Sequence, residues 1–193
     1  MIETVAVYCA SSRRTDPAFP DAARRLGAHL ARSGVAIVYG GGAVGSMGAL
    51  AEGALGEGGR VVGVLPRFMA DLEWGHAGVT EMRLVDDMHE RKRTMIQGVD
   101  AVVGLPGGCG TLEELLEAIT WKRLGLYLGP IAILNYRGFF DPLLAMLERC
   151  ISERFMDERH AGMWVAVKEP EDVLPALRAA PPWDDDPRRF AVP

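Results

Sequence analysis

Short runs of β-branched and aliphatic residues, "TVAVYC", "VAIVYG", "RVVGVLP", "MRLV", "AVVGLP", "PIAILNY" and "WVAV", alternate along the chain with longer stretches whose apolar positions recur at helical spacing. Runs of this kind, bounded by Gly, Pro or charge, fit strands buried on both faces. Their alternation with amphipathic segments predicts a parallel sheet covered by helices. Helices are expected near residues 17–33, 45–57, 87–97, 111–126, 139–154 and 171–179, whereas 68–79 has neither period and reads as a loop able to cover a site. The pattern therefore predicts an α/β fold: a Rossmann-like, open, mostly parallel sheet of about seven strands with helices on both faces. It occupies residues 1–180 as one domain, without internal repeats or linkers, and an irregular tail rich in Pro and charge follows over 181–193.

Composition narrows the partners. The chain has 193 residues, 49% of them hydrophobic, enough for one full core. Its formal charge of −5 argues against a nucleic-acid partner or an anionic membrane surface, but leaves room for a local cationic site holding one small anion. Cys9, Cys109 and Cys150 are odd in number and widely spaced, so neither a disulfide framework nor a zinc knuckle is expected, and a reducing, cytoplasmic setting fits. His29, His76, His89 and His160 form no metal-ligand spacing, and no metal is expected. The first residues have no basic leader, and no apolar run approaches the ~18 residues of a membrane span.

Two glycine-rich loops follow strands, at the sheet edge where open parallel folds bind ligands. In "YGGGAVGSMG", Gly40, Gly42 and Gly45 satisfy the spacing GxGxxG, yet the next strand ends in Pro66 and Arg67 rather than in the acid that would hold a dinucleotide ribose. NAD is disfavoured, a mononucleotide is not, and the glycines could equally serve only a tight turn and close packing. In "LPGGCGTLEE", Gly107, Gly108 and Gly110 precede a helix whose first N–H groups suit a phosphate. The Walker lysine is missing, which argues for a monophosphate and against triphosphate hydrolysis. Thr111 and Glu114 have the spacing of a capping box, so Glu114 is open to a structural or a chemical role. With Leu112, Leu115, Leu116 and Ile119 read as the buried face, Glu113, Glu114 and Glu117 are expected off the core. In "DDMHERKRTM", Asp87 and Glu90 form a second candidate box. Arg91 and Lys92 then fall in the first turns of a helix, where cations oppose the helix dipole, a local misfit that hints at function beside the alternative of a solvated basic face.

Taken together, "YGGGAVGSMG", "MHERK", "PGGCGTLEE" and "TWKRLGLYLGPIAILNYRGFFDPLL" resemble the LOG family of cytokinin riboside 5′-monophosphate phosphoribohydrolases, from "VYCASS" to about Leu177. The resemblance implies hydrolysis of the N-glycosidic bond of a nucleoside 5′-monophosphate such as AMP or N6-prenyl-AMP, with no cofactor. It places Arg91 and Glu114 in catalysis. Substrate contacts are implied for Met88, Arg91, Lys92, Gly107, Gly108, Cys109, Gly110, Thr111, Leu112, Glu113, Glu114 and Thr120, together with Ser11, Gly41, Gly42 and Glu73 of the covering loop. Two departures from the family pattern are Cys109 at its variable position and "CASS" for "CGSS". Arg13 and Arg14 are our own candidates for a further phosphate contact. Family members are dimers or larger, which implies a homodimer here, and the apolar "LLEAITWKRLGLYL" helix suits such an interface.

The competing reading is a non-catalytic carrier of a nucleotide or molybdenum cofactor on the same fold, which would need the glycine loops but not Arg91 and Glu114 together. A pyridoxal-phosphate lysine decarboxylase, the label this family has often carried, ranks last: Lys92, Lys122 and Lys168 are the only lysines and none sits in a cofactor motif.

Overall fold

The computed structural model describes residues 1–72, 74–184 and 186–190. Seven strands form one sheet: β1 (Thr4–Tyr8), β2 (Ala36–Tyr39), β3 (Val61–Pro66), β4 (Glu81–Val85), β5 (Ala101–Gly104), β6 (Ile131–Leu134) and β7 (Trp164–Val167). They pair in the order β4-β3-β2-β1-β5-β6-β7, and every pairing is parallel. Each expected run is a strand. The central strands β1, β2, β3, β5 and β6 are buried almost throughout, as their unbroken apolar composition requires of a sheet covered on both faces.

The helices are α1 (Ala18–Arg32), α2 (Gly45–Gly56), α3 (Arg67–Ala70), α4 (Met88–Ile96), α5 (Cys109–Arg123), α6 (Asp141–Ser152) and α7 (Val173–Ala179). Leu26 and Leu30 of α1, Leu50 and Ala54 of α2 and Leu174 and Leu177 of α7 pack on one face of the sheet. Met95 of α4, Leu115 and Ile119 of α5 and Leu147 of α6 pack on the other. The chain leaves β1 through α1 on the first face and enters β5 from α4 on the second. The strand order therefore switches between β1 and β5, and a crevice opens beyond their C-terminal ends, where open α/β sheets place ligands.

Two expectations change. The 68–79 segment is not wholly irregular: α3 occupies its start, and the remainder is fastened to the first glycine loop. There Ala43 donates its N–H to the carbonyl of Trp74 (3.1 Å), His76 donates to Gly41 (2.9 Å), and Gly42 and Gly75 form an antiparallel bridge. Within the tail, Pro187–Phe190 form a 3-10 turn, and Trp183 docks on the end of α5. Its indole N–H donates to the carbonyl of Lys122 (3.1 Å), and its ring lies 5.4 Å from the Lys122 ammonium.

Candidate active site

The 107–110 loop leads from β5 into α5, and the start of that helix differs from the expected capping box. The N-cap is Gly108, without a side-chain cap, so Thr111 and Glu114 both lie inside the helix. A helix that opens on glycine keeps its first N–H groups unsatisfied by any side chain, as an anion site requires. Gly107 packs on the Thr111 side chain, while a Cβ at Gly108 or Gly110 would meet nothing within 4 Å. Cys109, between them, is exposed.

The face that α5 buries runs through Thr111, Glu114, Leu115, Ala118, Ile119 and Lys122, one position round the helix from the stripe through Leu112 and Leu116 expected from the sequence. Glu114 is 5% exposed and points inward beside Leu115, Ala118 and Ile119, whereas Leu116, assigned to the core from the sequence, is 38% exposed. Burial pushes the Glu114 carboxyl up to about 7, against the opposing pull of the Arg91 guanidinium, with Glu113 and Glu117 adding to the rise and Lys92 opposing it. The same burial raises the Tyr8 phenol and the Cys9 thiol at the end of β1, and the charge of Glu114 raises both further.

Arg91 reaches this carboxylate from α4. Asp87 caps that helix by accepting from Glu90 N–H (2.8 Å), and Glu90 reaches back to Asp86 N–H (2.7 Å), one residue short of the reciprocal partner expected in a capping box. Arg91 and Lys92 follow, both buried. The dipole misfit of two cations early in a helix is resolved by their partners. Arg91 donates from Nε to the carbonyl of Val64 (3.1 Å) and from Nη2 to that of Gly40 (2.8 Å), and its Nη1 lies 3.9 Å from Glu114 Oε1 and 3.9 Å from Met88 Sδ. Lys92 Nζ binds Glu113 Oε1 (2.8 Å) and lies 3.4 Å from Glu117 Oε1, which ties α4 to α5; the bond to Glu113 raises the ammonium's pKa. The guanidinium is thus fixed by the ends of β2 and β3, with one nitrogen left toward the carboxylate.

On the β2 side of Arg91 lies a cavity of about 450 Å³, lined by Ser11, Arg13, Gly40, Gly42, Arg91 and an apolar wall of Val44, Met47, Leu65, Met69 and Trp74. Its volume falls in the range of small-molecule sites. Arg91 borders this cavity, whereas Glu114 lies off its lining, on the other side of the guanidinium; larger hollows elsewhere are not bordered by Arg91.

The structure therefore brings Ser11, Gly42 and Arg91 to the cavity, holds Met88 against Arg91, and sets Glu114 on Arg91's free side. Arg13, but not Arg14, lines the cavity. Gly41 is buried beneath it, holding His76 through its carbonyl. Leu112 is half-buried, Glu113 is engaged by Lys92, and Thr120 sits apart on the exposed face of α5, donating its hydroxyl to Leu116. Glu73 lies outside the described residues. The sequence reading missed Met47, Leu65, Met69 and Trp74, whose apolar character alone does not distinguish a cavity wall from core. Among the described residues no cluster of His, Cys, Asp or Glu has the arrangement to hold a metal ion, and no helix is long and apolar enough to cross a membrane.

Known proteins resemble this chain in sequence and in fold. A family model described as "Possible lysine decarboxylase" matches residues 47–177. A cytokinin riboside 5′-monophosphate phosphoribohydrolase of Oryza sativa subsp. japonica is 40% identical over 97% of this chain and 81% of that protein. One of Rhodococcoides fascians is 39% identical over 92% of this chain and 90% of that protein. Among solved structures, a structural-genomics target superposes with a TM-score of 0.73 at 26% identity, covering 92% of this chain and 99% of its own. A molybdenum cofactor carrier protein from Chlamydomonas reinhardtii superposes with a TM-score of 0.71 at 19% identity, over 93% and 98%, a likeness of fold alone.

Proposed function

The chain belongs to the family of cytokinin riboside 5′-monophosphate phosphoribohydrolases, and from that premise we propose that it hydrolyses the N-glycosidic bond of nucleoside 5′-monophosphates, AMP or an N6-modified AMP, to the free base and ribose 5-phosphate. The observation that carries this reading is the buried pair of Arg91 and Glu114, the carboxylate on the helix that follows the 107–110 loop and the guanidinium beside a cavity that Arg91 borders. A carrier that releases its ligand unchanged has no use for a buried carboxylate beside a fixed arginine, although it shares the fold.

In this reading the 5′-phosphate sits on the N–H groups at the start of α5, the base enters the cavity lined by Met47, Leu65 and Trp74, and C1′ lies beside Glu114. As the bond from C1′ to the base nitrogen breaks, positive charge builds on the sugar ring. The ionised Glu114 stabilises that charge and accepts a proton from the water whose oxygen joins C1′. The departing base takes its electron pair with it and is protonated on nitrogen by solvent water, the hydroxide so formed being neutralised by the proton that Glu114 took from the attacking water. Arg91, too basic to donate that proton, positions the nucleotide and steadies the negative charge on the base. A carboxyl whose pKa lies near 7 can hold and release a proton near neutrality, as the role requires. Lys92 holds Glu113 and Glu117 and so fixes the helix that carries Glu114. The exposed Leu116, Leu124 and Leu126 along α5 and the turn after it favour a homodimer through this face. A dimer mass by light scattering at micromolar concentration is expected, and a monomer overturns it.

The test pairs substrate with variant. AMP should release adenine while adenosine, lacking the anchoring phosphate, is hardly cleaved. Glu114→Gln, which keeps the shape and removes the charge, should lower kcat about a hundredfold or more with nucleotide binding retained. Equal turnover of AMP and adenosine, or near-parent turnover by the variant, overturns the assignment.

A further inference from the structure

The first glycine loop, "YGGGAVGSMG", looks like a nucleotide cradle, but its atoms point to another task. We propose that Gly40 is a positioning residue for Arg91: the loop's first glycine forms the seat in which the guanidinium lies, and any side chain there expels it. This inference rests on the reading of Arg91 as part of the active site, and it gives Gly40 a task beyond bordering the cavity.

Two observations carry it. Nη2 of Arg91 donates to the carbonyl of Gly40 (2.8 Å), and Nε donates to the carbonyl of Val64 (3.1 Å), so the plane of the guanidinium spans the C-terminal ends of β2 and β3. A Cβ built on Gly40 would overlap Nη2 and lie 3.2 Å from Cζ. The hydrogen at that position is therefore what lets the planar group lie against the strand end. Alanine would keep the accepting carbonyl and still remove the space. Because carbonyl acceptors fix two of its three nitrogens, Arg91 holds Nη1 toward Glu114 without closing into a bidentate pair, and Glu114 keeps an oxygen for chemistry. A lysine at this position has no fork with which to use both carbonyls.

The atoms that a Gly40 methyl would strike are the far ends of flexible side chains, Arg91 Nη2 and Met47 Cε (2.8 Å), rather than backbone. The fold has a way to accept Gly40→Ala: the arginine swings out. The expected result is a variant that melts within a few degrees of the parent but loses turnover about a hundredfold. Gly56→Ala, in a helix where a Cβ meets nothing within 4 Å, serves as the control and should leave both properties unchanged.

Three readings decide it. In a double-mutant cycle, Gly40→Ala should lower kcat strongly in the parent and by less than twofold in the Arg91→Ala background; equal losses in both backgrounds overturn the proposal. Gly40→Ala combined with Met47→Ala should remain impaired, whereas recovery would mean that the methyl acts by crowding the cavity through Met47 and would equally overturn it. The third reading needs no turnover. The Arg91 Nε–H, buried and bonded to Val64, should give a slowly exchanging nitrogen–proton resonance, assigned by its loss in Arg91→Ala and expected to vanish or exchange rapidly in Gly40→Ala. Its persistence in Gly40→Ala overturns the seat. If the parent protein cleaves no nucleotide, the proposed function fails while this resonance still decides the seat, so the two failures are distinguishable.

Discussion

The two glycine loops have nearly the same appearance in sequence and opposite structures. At 40–45 protein atoms stand where the missing side chains would go, even though Gly40 and Gly42 also border the cavity: Arg91 and Met47 occupy the place of a Gly40 side chain, and a Cβ at Gly45 would sit 2.5 Å from the carbonyl oxygen of Ser12. The helix that follows is closed as well, with Met47 N–H donating to the carbonyl of Ala10 (3.0 Å). At 107–110, Gly107 packs on Thr111, but Gly108 and Gly110 face open space, and α5, like α2, begins without a side-chain cap. Glycine spacing alone therefore does not identify an anion site. What separates the loops is whether protein atoms or solvent occupy the places of the missing side chains, and whether the helix N–H groups already have acceptors.

The sharpest way to break this contrast is a methyl group at Gly45. Its φ is +62°, a conformation that side chains resist, and the nearest atoms to the new Cβ are backbone of Ser11 and Ser12, which cannot rotate away. Gly45→Ala should cost about 3 kcal/mol or more of stability, read as a fall in the denaturation midpoint at unchanged m-value. A variant as stable as the parent would mean that the 40–45 loop is no more tightly packed than its counterpart.

A second effect concerns the carboxylate beneath the open loop. Burial holds the Glu114 proton up to about 7, so the ionised form needed at C1′ is the minority species below neutrality. The kcat/KM for AMP should fall about tenfold per pH unit below 7 and level off above it, provided the substrate phosphate's own ionisation is corrected for. Stability should move the other way. Between the ordinary glutamate value of 4.5 and about 7, the folded protein binds more protons at this site than the unfolded chain, so stability declines as pH rises through that window and is flat beyond it. Glu114→Gln should abolish both dependences. A flat rate profile from pH 5 to 8 would sever Glu114 from the chemistry.

How much of this was legible in the sequence depends on which signal carried it. The strands were, because a parallel sheet covered on both faces demands unbroken apolar runs, and each quoted run became a strand. The start and faces of α5 were not: Thr111 and Glu114 matched a capping box, but Gly108 is the N-cap, and packing against the sheet, which the local pattern does not encode, selects the stripe that sends Glu114 inward and Leu116 outward. The local dipole misfit of Arg91 and Lys92 already pointed to a partner for Glu114 at the same sheet edge, and the family resemblance singled out Arg91; nothing local in "MHERK" says that its arginine reaches the backbone of Gly40 and Val64. The apolar cavity wall and the seat at Gly40 are assembled from segments distant in sequence, and only the fold brings them together.

The smallest expected effect falls on the open loop and is the most discriminating. Gly108 has φ −86° and ψ −159°, a conformation alanine also adopts, and its Cβ would meet no atom within 4 Å. Gly108→Ala should therefore shift the melting temperature by only a few degrees, the restriction of the unfolded chain offsetting part of alanine's poorer fit at an N-cap. The methyl nevertheless stands at the N-cap, beside the N–H groups proposed to hold the phosphate, so it should hinder close approach of that anion. KM for AMP should rise about tenfold, roughly 1.4 kcal/mol of lost anchoring, with kcat less affected because Glu114 and Arg91 keep their places. Poor adenosine cleavage should hardly change, since that substrate never used the loop. An unchanged KM would show that the phosphate does not approach Gly108, and a large fall in melting temperature would show that this loop is as closely packed as the other.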